Sequence, residues 1–186
     1  MFDGYLHLSW KAIRITQLLK YLRMKMKNFI LLFLLSWMLF ISSLSYAQSG
    51  KIPPFRITQS NGKPFKAEDL PMAKPIIIIY FSPDCDHCEN LTKELLKQAA
   101  NFNKASIAMI TFLPVQSVLK FVNKYKLNKY PNIYVGTEET SFFVKNYYRV
   151  TEMPFVALYT KSGDLVKSYS REVPLKDLSN RLNILK

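Results

Sequence analysis

Residues 76–102 read IIIIYFSPDCDHCENLTKELLKQAANF, and the fold turns on how this stretch is divided. The run from Ile76 to Phe81 offers water no polar face, which marks a strand buried on both sides. Ser82-Pro83-Asp84 breaks it, and helical spacing follows at once. Leu91, Leu95, Ala99 and Phe102 recur along one face, while Lys93, Lys97, Gln98 and Asn101 take the other. Both cysteines of the chain, Cys85 and Cys88, fall at the joint between the two elements.

Working upstream, Lys51 to Ile57 and Asn61-Gly62-Lys63-Pro64-Phe65 predict two short strands about a tight Asn-Gly turn. Glu68 to Met72 predicts a single helical turn before Lys74-Pro75. Downstream, Ser106 to Phe112 predicts a second buried strand, ended by Pro114. Val115 to Leu127 predicts a helix with Val118, Phe121, Val122 and Tyr125 inward. Ile133 to Val135 is a short strand and Ser141 to Tyr147 a helix of weaker pattern. Phe155 to Thr160 and Leu165 to Tyr169 form a hairpin about Ser162-Gly163-Asp164. Leu175 to Leu185 closes the chain as an amphipathic helix. This order predicts an α/β sandwich, a central mixed sheet covered on both faces.

The N-terminal part reads differently. Met24 to Asn28 is a short basic start, Phe29 to Ile41 an apolar core of 13 residues, and Ser45-Tyr46-Ala47 a small-residue cleavage site before Gln48. These three parts in that order predict a secretory signal peptide over 24–47. The apolar core is short for a span, which needs about 20 residues, so membrane attachment is expected only where the leader stays uncut. Residues 1–23 read as a doubtful extension with the true start at Met24 or Met26. The alternative is a long basic leader containing Lys11, Arg14, Lys20 and Arg23. The expected domain is therefore 48–186, in a periplasmic or other extracytoplasmic location.

The full chain carries 26 Lys+Arg against 13 Asp+Glu, a net charge of +13. Over 48–186 the balance is +8. The lysines there are scattered rather than clustered, which favours a solvated surface over nucleic-acid binding.

Two cysteines in an exported chain might form a structural staple. A staple closing four residues restrains the unfolded chain little, so the pair is better placed for exchange. Cys85 at the helix start faces unpaired N–H groups and the positive end of the dipole, both of which favour a thiolate. Cys88 shares the face of Leu91 and Leu95 and should be the shielded, resolving sulfur. No second cysteine pair exists and His87 is the only histidine after residue 47, so neither a metal nor a cofactor is expected. Between the cysteines, a protonated His87 would stabilise a thiolate, while Asp86 and Asp84 oppose it. Asp84 alternatively caps the helix. Met153-Pro154 opens a strand where a missing N–H is tolerated, and an ordinary trans proline there is the base expectation.

A buried strand, Cys-x-x-Cys at a helix start, and a proline opening a later strand before a Gly-turn hairpin resemble the thioredoxin fold. FSPDCDHCENLTKEL behind a leader resembles the TlpA-like thiol–disulfide oxidoreductases of the redoxin group, over most of residues 50–186. The resemblance implies a three-layer thioredoxin-like sandwich, with Cys85 the nucleophile and Cys88 the resolving thiol. It implies a cis Pro154 facing the pair, and a Met153 backbone that hydrogen-bonds an extended substrate. The partners implied are protein thiols or disulfides and an electron donor. Three departures stand out: Asp84 where thioredoxins have tryptophan, His87 where they have proline, and Ile79 where cytoplasmic thioredoxins bury an acid. Proton transfer to Cys88 would then use another carrier, Glu94 or water. Rival activities are a periplasmic disulfide oxidant and a thiol peroxidase. A rival of another class is a non-enzymatic binding module.

Overall fold

The isoleucine run can be apolar on both faces because both its faces and both its edges are covered. The computed structural model describes residues 22, 23, 25–27, 36, 50–71 and 73–185. It divides the chain into two compact units, Met1–Gln48 and Ser49–Lys186. The leader expected over 24–47, its cut before Gln48 and the extension over 1–23 fall outside the described residues, but for 22, 23, 25–27 and 36. No helix of the described residues is long and apolar enough to cross a membrane.

In chain order the second unit holds strands β1 (Arg56–Gln59), β2 (Pro64–Lys66) and β3 (Ile76–Tyr80), then helices α1 (Asp86–Lys97) and α2 (Ala99–Phe102). Strand β4 (Ser106–Thr111), helix α3 (Val115–Tyr125), strand β5 (Ile133–Thr137) and helix α4 (Phe143–Tyr148) follow. Strands β6 (Phe155–Tyr159) and β7 (Leu165–Ser170) and helix α5 (Leu175–Ile184) complete it. The seven strands form one sheet in the order β2-β1-β5-β4-β3-β6-β7. β3 pairs in parallel with β4 and antiparallel with β6, so it lies inside the sheet. All five of its residues are buried, and each buried isoleucine side chain contributes about 1.5–3 kcal/mol.

Alternation along β3 feeds two separate cores. Ile77 and Ile79 pack with Cys88, Leu91 and Leu95 of α1, Val118 and Phe121 of α3, and Leu178 and Leu182 of α5. Ile76, Ile78 and Tyr80 pack with Phe55, Leu70 and Val144 of α4. Helices therefore lie on both faces, as expected, but unequally: one face carries α1, α2, α3 and α5, and the other α4 with residues between Ile52 and Leu70.

The helical turn expected over Glu68–Met72 is a 3-10 turn at Ala67–Asp69, the strand from Ile133 runs on to Thr137, and the helix expected from Ser141 starts at Phe143. Three further boundaries differ. The first strand begins at Arg56 rather than Lys51, after Pro53-Pro54, because proline cannot donate to a ladder. The helix after the cysteines is not continuous to Phe102: it ends at Lys97, and α2 restarts after Gln98 (ψ 24°). The third helix stops at Tyr125, where Lys126 adopts a left-handed conformation (φ 53°). The predicted turns stand: Gly62 and Gly163 both take φ 78°, which glycine adopts without steric cost.

Candidate active site

Parallel β3 and β4, and β6 arriving from the opposite direction, bring three chain segments to one end of the sheet. β3 ends there and leads into Cys85. β6 begins there, immediately after Met153-Pro154. The register sets Tyr80 opposite Phe155, so the dithiol and the proline are neighbours because the two strands pair.

Cys85 is the N-cap of α1, in an extended conformation (φ −105°, ψ 119°). Its backbone carbonyl accepts the first helical bond, from Glu89 N–H at 2.9 Å. Its sulfur accepts the Cys88 N–H at 3.4 Å, one of the donors a helix start leaves unpaired. The cap role considered for Asp84 thus belongs to Cys85. Asp84 is exposed and its own N–H reaches Ser82 Oγ at 3.5 Å. Cysteine can cap here because a sulfur, like an oxygen, accepts from the first turn, and the preceding Pro83 leaves Asp84 one residue too early.

The two sulfurs sit in different surroundings. Cys85 is half-buried and Cys88 is 1% exposed, and both are free thiols. Burial pushes the Cys88 thiol's pKa well up, and the neighbouring Cys85 sulfur adds to it. Thr92 Oγ donates to the Cys88 carbonyl at 2.8 Å, fastening the turn that carries the inner sulfur.

Across from the pair, the Met153–Pro154 peptide is cis. The trans form that base rate favours is not adopted. The Cys85 thiol points to the Met153 carbonyl at 3.8 Å. Pro154 is buried and Met153 half-buried, packed against both cores. A groove of about 620 Å³ runs from Pro154 and His87 between α1 and the 171–176 segment, past Leu91, Arg171 and Val173.

The sequence-chosen tuning residues Asp84, Asp86 and His87 are all exposed. Water therefore surrounds these side chains, and it screens interactions between exposed charges. Glu94 lies exposed on α1 with its carboxylate on Lys97 Nζ at 2.6 Å. No cluster of three or more potential metal ligands occurs among the described residues.

Sequence reasoning missed a second polar feature at this end of the sheet. Glu138, directly after β5, is 6% exposed. It accepts Tyr80 O–H at 2.8 Å and Val144 N–H at 2.7 Å. Nothing in GTEET distinguishes Glu138 from Glu139 beside it; only the pairing of β3 with its neighbours reveals which carboxyl turns inward. Ser170 and Arg171, which contact the proline segment, were also unmarked.

No family model matches the chain, and no curated protein does. Solved structures do. The chain is similar to a secreted Mycobacterium tuberculosis disulfide oxidoreductase homologous to Escherichia coli DsbE, at 23% identity and TM-score 0.59, covering 71% of this chain and 96% of that one. It is similar to a thioredoxin-like protein from Porphyromonas gingivalis at 18% identity and TM-score 0.58, covering 72% and 90%. A SCO1/SenC family lipoprotein from Bacillus anthracis matches at 17% identity and TM-score 0.59, covering 74% and 95%. At these identities the likeness is one of fold, and the fold is thioredoxin-like.

Proposed function

We propose that this chain is an exported thiol–disulfide oxidoreductase that exchanges disulfides with partner proteins through Cys85 and Cys88. The observation that carries the reading is the asymmetry of the pair: an accessible sulfur capping a helix, and a buried one a single turn behind it. An inert staple gains nothing from that difference, whereas exchange needs one sulfur to attack and the other to wait.

In the reducing direction the Cys85 thiolate attacks one sulfur of a partner disulfide. The partner's S–S bond breaks, its second sulfur leaves as a thiolate, and a mixed disulfide forms beside Pro154. Cys88 then loses its proton to water and attacks the Cys85 sulfur. The mixed bond breaks, its partner sulfur leaves as a thiolate that takes a proton from water, and the two electrons have passed from the dithiol to the partner, leaving a Cys85–Cys88 disulfide. The high pKa of the buried Cys88 thiol keeps it from competing for the first attack. The Met153 backbone offers hydrogen bonds to an extended partner segment lying alongside Cys85, and Asp84, Asp86 and His87 bias the couple. Oxidation runs the same steps in reverse.

Location outside the cytoplasm rests on the leader pattern of residues 24–47 and agrees with the secreted and lipoprotein character of two of the similar structures. Partners are protein thiols and disulfides with a separate electron donor, and no cofactor enters the cycle.

The test is insulin reduction by dithiothreitol with wild type, Cys85→Ser and Cys88→Ser. Wild type should accelerate it and Cys85→Ser should abolish the acceleration. Cys88→Ser should instead accumulate mixed disulfides that identify the partners. Equal rates for all three proteins would leave a binding module with the fold alone.

A further inference from the structure

The end of β7 makes three contacts with the segment that faces the dithiol. Arg171 N–H donates to the Pro154 carbonyl at 2.9 Å. Ser170 Oγ donates to the Glu152 carbonyl at 3.5 Å. The Arg171 guanidinium reaches the Glu152 carboxylate at 3.4 Å. Glu152 and Pro154 flank Met153, so the residue whose carbonyl receives the Cys85 thiol is held from both sides by one turn of chain.

Arg171 also occupies a conformation its residue type disfavours. Its φ is 63°, in the left-handed region that glycine enters freely and that a β-carbon resists. A glycine here would provide the same backbone hydrogen bond with less strain. What a glycine lacks is the guanidinium on Glu152. Lys126, Glu139, Phe142 and Arg149 take a similar φ, so what marks Arg171 is that its side chain meets Glu152 beside Met153. The contact is also well situated, since Arg171 and Pro154 both line the groove that opens beside His87.

We infer that Arg171 is a positioning residue for disulfide exchange: through Glu152 it fixes the Met153–Pro154 segment on which a partner chain aligns. This rests on the exchange reading above. Arg171 does not touch the reacting sulfurs, and its effect reaches them through Met153. The pair is exposed on both sides, 59% and 51%, so its contribution is modest and falls as salt screens it.

Arg171→Gly keeps the backbone bond, relieves the strained φ and removes the clamp. Arg171→Glu with Glu152→Arg restores a pair of reversed sign. Two measurements apply. Amide hydrogen exchange across residues 151–155 of the reduced protein reports the clamp without any activity. Insulin reduction gives KM and kcat separately.

For Arg171→Gly the 151–155 amides should exchange about two- to five-fold faster, the range an exposed ion pair supports. KM for insulin should rise by a similar factor, with kcat nearly constant and thermal stability equal to or above wild type. The reversed pair should restore both values, and high salt should raise the wild-type KM towards that of the variant. Unchanged exchange in 151–155 overturns the inference, and so does faster exchange with an unchanged KM. An inactive wild type brings down the exchange reading and this inference together; that failure is recognised because the amide result is obtained independently.

Discussion

A carboxyl buried beneath the active-site end of the sheet depends on its donors residue by residue. Glu138 is held by the Tyr80 hydroxyl and by two backbone N–H groups at the start of α4, those of Val144 at 2.7 Å and Lys145 at 3.4 Å. Burial, then the Glu138 carboxyl, pushes the Tyr80 phenol's pKa far up, so it remains a donor throughout the neutral range. Tyr80→Phe removes one of three donors and should cost about 1 kcal/mol. Glu138→Ala strands the Tyr80 hydroxyl together with both N–H groups and should cost about 3 kcal/mol. Urea denaturation of the two variants checks the order. Because Tyr80 faces the core opposite Cys88, exchange activity should survive in both, and a loss of activity larger than the loss of fold would mean the network reaches the dithiol.

At the scale of elements, the seven-stranded sheet depends on one place where two strands approach more closely than side chains allow. Gly136 in β5 stands beside β1, and a β-carbon built on it would meet the Thr58 carbonyl oxygen at 2.8 Å and Ile57 Cδ1 at 2.9 Å. The first of these is backbone and cannot swing aside. Gly136→Ala should therefore push β1 and β2 from the edge of the sheet and cost about 1–3 kcal/mol. The β3–α1 joint lies two strands away, so the Cys85 reaction with iodoacetamide should keep its wild-type rate at temperatures where the variant is folded; equal stability of the two proteins would refute the crowding. The elements themselves were largely legible. Ile76–Tyr80 showed its burial by having no polar face, and α1 and α5 showed theirs by leucine spacing. What the sequence left dark is contact between distant segments. That β1 crosses close over Gly136, that Glu138 rather than Glu139 turns inward, and that Arg171 folds back on Pro154 are all settled by pairings 17 to 78 residues apart, which no local pattern records. The dithiol was legible because its two parts are adjacent in sequence. The cis Pro154 beside it was not a matter of pattern at all, and came from the resemblance.

For the molecule as a whole, the groups buried around the sheet predict an alkaline limit to stability. Burial raises Cys88 above a thiol's ordinary 9.0. It also raises Tyr80 and Tyr148 well above a phenol's 10.0 and Tyr159 to about 12. In each case the folded state favours the protonated form. Below the ordinary value both states hold the proton, and stability does not depend on pH through these groups. As pH rises past 9 the unfolded chain releases the Cys88 proton while the native state keeps it. Stability then falls, with a limiting slope of about 1.4 kcal/mol per pH unit for each such group. Past pH 10 the three tyrosines join and the decline steepens. On the acid side the sign reverses: Glu89, Asp164 and Asp177 are held below their ordinary values chiefly by Lys124, Lys51 and Arg181, so what they contribute is present at neutral pH and lost as pH falls below about 4. These three are surface pairs and their loss should be slight. The reduced protein should thus hold a level urea midpoint from pH 6 to 8.5 and lose it progressively above 9. Cys88→Ser removes the first titrating group and should delay the onset to about pH 10, where the tyrosines begin. Superimposable curves for wild type and Cys88→Ser would show that the inner thiol ionises as readily in the fold as out of it, and with that the difference between the two sulfurs, on which the order of attack depends, would be gone.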